Sequence, residues 1–161
     1  MNREKIIIGS TRAGLLLKKE LTGHLESRGF QVDDAGMREG GEFVPYHRAA
    51  AAVARSISEK RYERGVLICG TGAGSVITAA KFRGVYPVHV FNTFTAQQAK
   101  AVNNCNVLVF GEWLTPPKHA IQLVDAWLET SFTDGVDEDW KIFLRNCVEE
   151  IMEMEETLFK P

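Results

Sequence analysis

Arg64–Lys81 reads RGVLICGTGAGSVITAAK. Its apolar run, Val66–Cys69, suits a short strand buried on both faces. Three alternating glycines follow, Gly70, Gly72 and Gly74, and a helix is expected to open at Ser75 and run to Phe82. Strand, glycine turn and helix in that order bring bare backbone N–H groups close to a ligand. The unpaired donors of the helix's first turn and the positive end of its dipole add to them. Cys69 stands where the strand meets the turn and is the only obvious acid–base or nucleophilic group there. A thiol beside a cradle of amides suits a bound phosphate or an oxyanion formed during reaction.

The same alternation runs outward in both directions. Upstream, Lys5–Gly9 (KIIIG) is a buried strand, and a polar loop through Gly14 leads into a helix over about Gly14–Arg28. Leu17, Leu21 and Leu25 line one side of that helix, and Gly29 closes it. Phe30–Ala35 is a second strand, Gly36–Pro45 a loop, and Tyr46–Lys60 an alanine-rich helix with Val53 and Ile57 inward. Downstream come a strand over Val85–Phe91, a helix over Thr93–Val102, a turn at Asn103–Asn106 and a strand over Val107–Phe110. A helix over Pro116–Glu129 follows, with a proline near its first turn and Ile121, Val124, Trp127 and Leu128 inward. Strands alternating with helices define an α/β class: a three-layer, Rossmann-like fold with a five-stranded parallel sheet.

In such sheets ligands bind beyond the carboxyl ends of the strands. The loops at Gly9–Gly14, Gly70–Gly74, Asn92-Thr93 and Asn103–Asn106 are expected to converge on that rim. Cys69 is the candidate catalytic residue on that rim. Candidate substrate ligands are Ser10, Thr11, Arg12, Gly70, Gly72, Ala73, Gly74, Ser75, Asn92 and Asn103.

Residues 1–132 thus form one α/β domain, and 133–161 form a different segment. Asp137–Phe159 reads as a single long helix with Trp140, Leu144, Val148 and Ile151 in a stripe, widened by Phe143, Cys147 and Met152. A five-stranded core does not need this face, so it is expected to pack on a partner subunit. Lys141 and Arg145 on the same helix either face solvent or reach a neighbour's anion site.

The chain's 161 residues suit one domain with a full core. A net charge of −2 gives no reason to expect nucleic acid or an anionic membrane as partner, and no apolar run approaches the ~20 residues of a membrane span. Three widely spaced cysteines, Cys69, Cys105 and Cys147, show no metal-type spacing and suggest reduced thiols in a cytoplasm. Cys105 and Cys147 are expected to be structural. His24 and His119 are expected on solvated surfaces.

GVLICGTGAG followed by AAK resembles the type-B ribose-5-phosphate isomerase family, which includes the galactose-6-phosphate isomerase subunits. IIIGSTRAG resembles that family's first strand and substrate loop, and NNCNVLVFGEWL its HNDANVLALG-type stretch, in register over roughly residues 5–132. The resemblance implies an aldose–ketose isomerase that uses no metal or cofactor and works as a homodimer or homotetramer with shared sites. It implies Cys69 as the base next to the carbonyl, Thr71 as its assistant, and Gly70, Gly72 and Gly74 as holders of a cis-enediolate. A thiol has an ordinary pKa of ~8.5, lowered at a helix N-terminus, so thiolate is expected near neutral pH.

The chain departs from the family pattern in three places. Thr11-Arg12 replace an Asp-His pair, Val102 replaces the histidine that opens the sugar ring, and Asp134–Asp137 lack the Arg and His of the phosphate clamp. A tetrose 4-phosphate has its O4 blocked and cannot close a five-membered ring, so its isomerase needs no ring opener. Isomerisation of a tetrose phosphate is therefore expected, with Arg12 as a replacement anion ligand. An alternative keeps a larger sugar and uses His47 or His89 as the opener. A non-catalytic sugar-phosphate-binding subunit of the same fold is the competing class. A nucleotide-binding domain fits less well because the turn follows the third strand, and a thiol hydrolase lacks a recognisable histidine partner.

Overall fold

Ile6, Ile7 and Ile8 are all buried, yet they serve two cores: Ile6 and Ile8 pack on one side of a sheet and Ile7 on the other. Successive side chains on a strand point to opposite faces, so a continuous apolar run implies cover on both. The structure, a computed structural model, describes residues 4–159. Its strands are β1 (Lys5–Ser10), β2 (Gln31–Asp34), β3 (Arg64–Cys69), β4 (Pro87–His89) and β5 (Val107–Gly111). They form one parallel sheet in the order β2-β1-β3-β5-β4. The helices are α1 (Leu15–Ser27), α2 (Tyr46–Ser58), α3 (Ala73–Ala79), α4 (Thr93–Ala101), α5 (Pro117–Leu128) and α6 (Glu138–Leu158).

Leu17, Leu21 and Leu25 of α1 join Ala96 of α4 and Leu123, Val124 and Trp127 of α5 over one face. Ala50, Val53, Ala54 and Ile57 of α2 join Ala79 of α3 over the other. Lys18 is buried on α1 and its ammonium meets Asp34 Oδ2 at 2.7 Å and the Met37 carbonyl, which binds α1 to the end of β2. A buried ammonium without such partners would carry a large desolvation cost. His24 is not solvated as the sequence suggests: its Nε2 lies 2.7 Å from Asp125 Oδ1, which also accepts from Arg28, and the three join α1 to α5.

The chain goes from β1 outward to β2, then returns past β1 to β3. The strand order therefore reverses between β1 and β3, and a crevice opens beyond their carboxyl ends at such a point. Ser10–Arg12 and Cys69–Gly74 are the segments that leave those two ends.

Two elements differ from the sequence reading. β4 is only three residues long and starts at Pro87, which has no N–H to give and so suits an edge strand. α3 opens at Ala73 rather than Ser75 and stops at Ala79.

α6 is capped by Asp137, whose side chain accepts from the Trp140 amide at 2.9 Å. Near its other end the Glu155 carboxylate accepts from the Gly84 amide at 3.0 Å, and Glu156 pairs with Arg83. Of its stripe only Leu144 is buried; Trp140, Phe143, Ile151 and Met152 stay exposed on the single chain. No helix among the described residues is long and apolar enough to cross a membrane.

Candidate active site

Cys69 ends β3 almost buried, with 5% of its surface exposed, and its Sγ accepts a hydrogen bond from the Gly72 amide at 3.1 Å. That contact requires the turn to double back on the strand end, and Gly72 does so at φ +84°, a conformation that side chains rarely tolerate. The amides of Thr71, Ala73 and Gly74 carry no hydrogen bond among the described residues. A thiol with one amide on its sulfur, in a turn with three further unpaired amides, has the backbone donors that suit an anion.

Packing around the turn adds Tyr46 and Trp113, which the sequence did not single out, and His89, which it considered only as a ring opener. A Cβ on Gly70 would meet the Trp113 ring at 2.8 Å, one on Gly72 the His89 ring at 2.7 Å, and one on Gly74 the Tyr46 ring at 2.5 Å. Three rings thus wall the turn, and the glycines are small so that those rings can touch its backbone. From below, Gly111 supports it: a Cβ there would come within 2.9 Å of the Gly70 and Thr71 carbonyl oxygens. The Trp113 amide donates to the Gly70 carbonyl at 3.1 Å and the Glu112 amide to that of Cys69 at 2.9 Å, so β5's exit is sewn to the turn. Glu112 also accepts from the Leu17 amide at 2.9 Å, capping the start of α1. Tyr46 and Trp113 have no spacing signature; each is recognisable only once the strand order is known.

The expected ligands differ in exposure and in their partners. Arg12 is exposed at the exit of β1, in a 3-10 turn beside the end of β3. Thr11 is engaged elsewhere: its hydroxyl donates to the Val44 carbonyl at 2.8 Å and ties down the loop after β2. Ser10 is wholly buried with its Oγ unpartnered, and Ser75 is buried too, so neither meets the crevice surface. Asn92 spends its Oδ1 on the Thr95 amide, capping α4. The expected position of Asn103 on the carboxyl rim must be corrected. The residue follows α4 and precedes β5, in a loop whose Asn106 bonds the Gly65 and Tyr86 amides where β3 and β4 begin. It therefore lies at the amino edge of the sheet, across the molecule from Cys69. Of the two histidines considered, His89 is at the turn, while His47 is exposed and packs edge-on against Tyr46.

Cys105 is fully buried, donates to the Val107 carbonyl at 3.2 Å, and burial pushes its thiol up to about 12. An unfolded thiol titrates at ~8.5, so from there up to about 12 the unfolded chain loses this proton while the folded one keeps it. Stability should therefore fall as pH rises through that window. Cys105→Ala should flatten the fall in urea midpoint between pH 8 and pH 10, and thiol reagents at pH 8 should label Cys147 and leave Cys105 untouched.

No cluster of three His, Cys, Asp or Glu side chains among the described residues could hold a metal ion. The fold and the glycine turn define a class: an α/β protein with unpaired backbone amides beside a thiol at the reversal of its strand order, where such sheets take their ligands. The chain belongs to the Ribose/Galactose Isomerase family, whose model matches residues 6–142, past Phe132 and into α6. It is 32% identical over 156 residues to the 4-deoxy-4-sulfo-D-erythrose isomerase of Clostridium sp. (strain MSTE9), covering 97% of this chain and 98% of that one. It is 34% identical to the D-erythrulose-4-phosphate isomerase of Pectobacterium atrosepticum, covering 81% and 86%. Among solved structures, ribose-5-phosphate isomerase B of Clostridium thermocellum superposes with a TM-score of 0.85 at 33% identity, covering 95% and 98%. The protein is an isomerase of the aldose–ketose class.

Proposed function

We propose that this protein interconverts a four-carbon aldose and its ketose, with an anionic group on C4 and Cys69 as the base that moves the proton between C2 and C1. The observation that carries this is the Cys69 sulfur, held by the Gly72 amide next to the unpaired amides of Thr71, Ala73 and Gly74. Removing a proton next to a carbonyl needs a base within reach and donors where the oxyanion forms.

The carbon count rests on chemistry that this chain lacks. Val102 stands where a ring-opening histidine is expected, and Asn103 beside it is at the far edge of the sheet. A four-carbon aldose with phosphate on O4 has no free hydroxyl for a five-membered ring. One with sulfonate in place of that oxygen has none either. Relatives named for both kinds of substrate are similar to this chain. Sulfonate is the better fit of the two. It carries a single charge, against −1.5 to −2 for phosphate near neutral pH, and Arg12 is the cation at the exit of β1. The match to the sulfo-erythrose isomerase also extends over nearly the whole chain.

Purified protein should be assayed on 4-deoxy-4-sulfo-erythrose, erythrose 4-phosphate, ribose 5-phosphate and a hexose phosphate. The highest kcat/KM is expected on the sulfonate, with the tetrose phosphate second. Activity confined to ribose 5-phosphate would reject the four-carbon assignment.

The exposed stripe on α6 suits a second copy of the chain, as a homodimer or homotetramer. If Asn103 contacts substrate, it does so in the crevice of such a neighbour, since its own crevice is on the opposite edge.

A further inference from the structure

Moving a carbonyl from C1 to C2 requires two proton transfers. One goes from carbon to carbon, and one from the C2 hydroxyl to the C1 oxygen. Cys69 serves the first. The second needs a group that can both take and give a proton at the glycine turn. The His89 ring lies against Gly72, the residue whose amide bonds the Cys69 sulfur. His89 ends β4, and the turn crosses the end of β5 to reach it, because Gly111 packs beneath Thr71. Phe91 packs against the imidazole with ring centroids 4.2 Å apart and planes tilted by 43°. The buried Nε2 has no hydrogen-bond partner, and apart from Ser10 Oγ it is the one such side-chain atom among the described residues. A buried polar nitrogen left unpaired calls for a reason, a catalytic role among them, and hydrogen bonds at active sites often form only once substrate is bound. Burial holds the imidazole below its usual 6.5, so the ring is neutral at pH 7 and not committed to a charge.

Resting on the isomerase function proposed above, we infer that His89 is a catalytic residue that carries the proton between the two substrate oxygens. As Cys69 takes the C2 proton, the C2–H electron pair becomes the C1–C2 double bond and the carbonyl pair moves to O1, facing the turn's amides. Nε2 takes the proton from O2 and delivers it to O1. The thiol returns its proton to C1 while the O2 electron pair forms the new carbonyl at C2. The ring is neutral before and after, and no outside oxidant or reductant enters.

The test uses His89→Leu, which fills the space beside Gly72 without a nitrogen, and His89→Gln, which keeps a hydrogen-bonding group. Each is compared with the wild type in D2O for ketose formed and for deuterium gained at C2 of the recovered aldose. In His89→Leu, isomerisation should fall about 10²-fold while exchange falls much less, because the enediolate still forms and returns to aldose. His89→Gln should lie between. If exchange and isomerisation fall together in constant ratio, His89 only supports the turn and the inference is overturned. Unchanged rates in both variants overturn it as well, with the isomerase function intact. A wild type that neither exchanges nor isomerises any substrate of the panel removes the function itself, and this inference with it.

Discussion

Cys69→Ala should lower isomerisation by about 10²–10⁴-fold and stop solvent deuterium from entering C2 of the substrate. Alanine keeps the β3 exit and removes only the sulfur, which sits in a tight site with 5% of its residue exposed. The Gly72 amide then loses its acceptor, while Thr71, Ala73 and Gly74 keep their amides free for the ligand. Affinity for the ketose, read by calorimetry, should change only a few-fold. Losses in binding and turnover of equal size would mean that the sulfur merely shapes the turn. Retained exchange would move the base elsewhere. A protein that only binds sugar would show the retained affinity and no exchange in either form.

Gly111→Ala is the second large effect, and it reaches the site through backbone. The new methyl would stand 2.8 Å from the Thr71 carbonyl carbon and 2.9 Å from the Gly70 and Thr71 oxygens. These are main-chain atoms, with the Trp113 amide on the Gly70 oxygen and the Glu112 amide on the neighbouring Cys69 oxygen, so they cannot swing aside as a side-chain tip can. Overpacking of this kind costs about 1–3 kcal/mol, which a urea midpoint would show. Shifting the amide cradle by about 1 Å relative to Cys69 should cost about 10²-fold in kcat. Full activity with an unchanged midpoint would show that the turn does not rest on β5.

The parallel sheet was legible because buried strands and amphipathic helices write different periods. KIIIG and GVLIC serve both cores, and Leu17, Leu21 and Leu25 serve one. The pairing of Cys69 with a glycine turn was legible too, because strand, turn and helix are consecutive in the chain. What escaped depended on contacts between distant segments. Tyr46 and Trp113 meet the turn from distant segments and nothing local marks them, while His89 was weighed only as a ring opener and not as a wall of the turn. Asn103 was misplaced for a related reason. A polar turn between a helix and a strand resembles one between a strand and a helix, although the two sit on opposite edges of a parallel sheet. His24 looked solvated because Asp125, its partner, is a hundred residues away on α5.

The strand order has a consequence for assembly. β4 pairs only with β5, and β5 lies between it and β3. During synthesis the third and fourth strands therefore leave a slot one strand wide until Val107–Gly111 has emerged. Until then the imidazole has no fixed wall to stand in and the turn no floor. The edge that holds the turn is completed by the last strand made, so a chain broken off before Gly111 can carry every residue of the turn and still lack the floor beneath it.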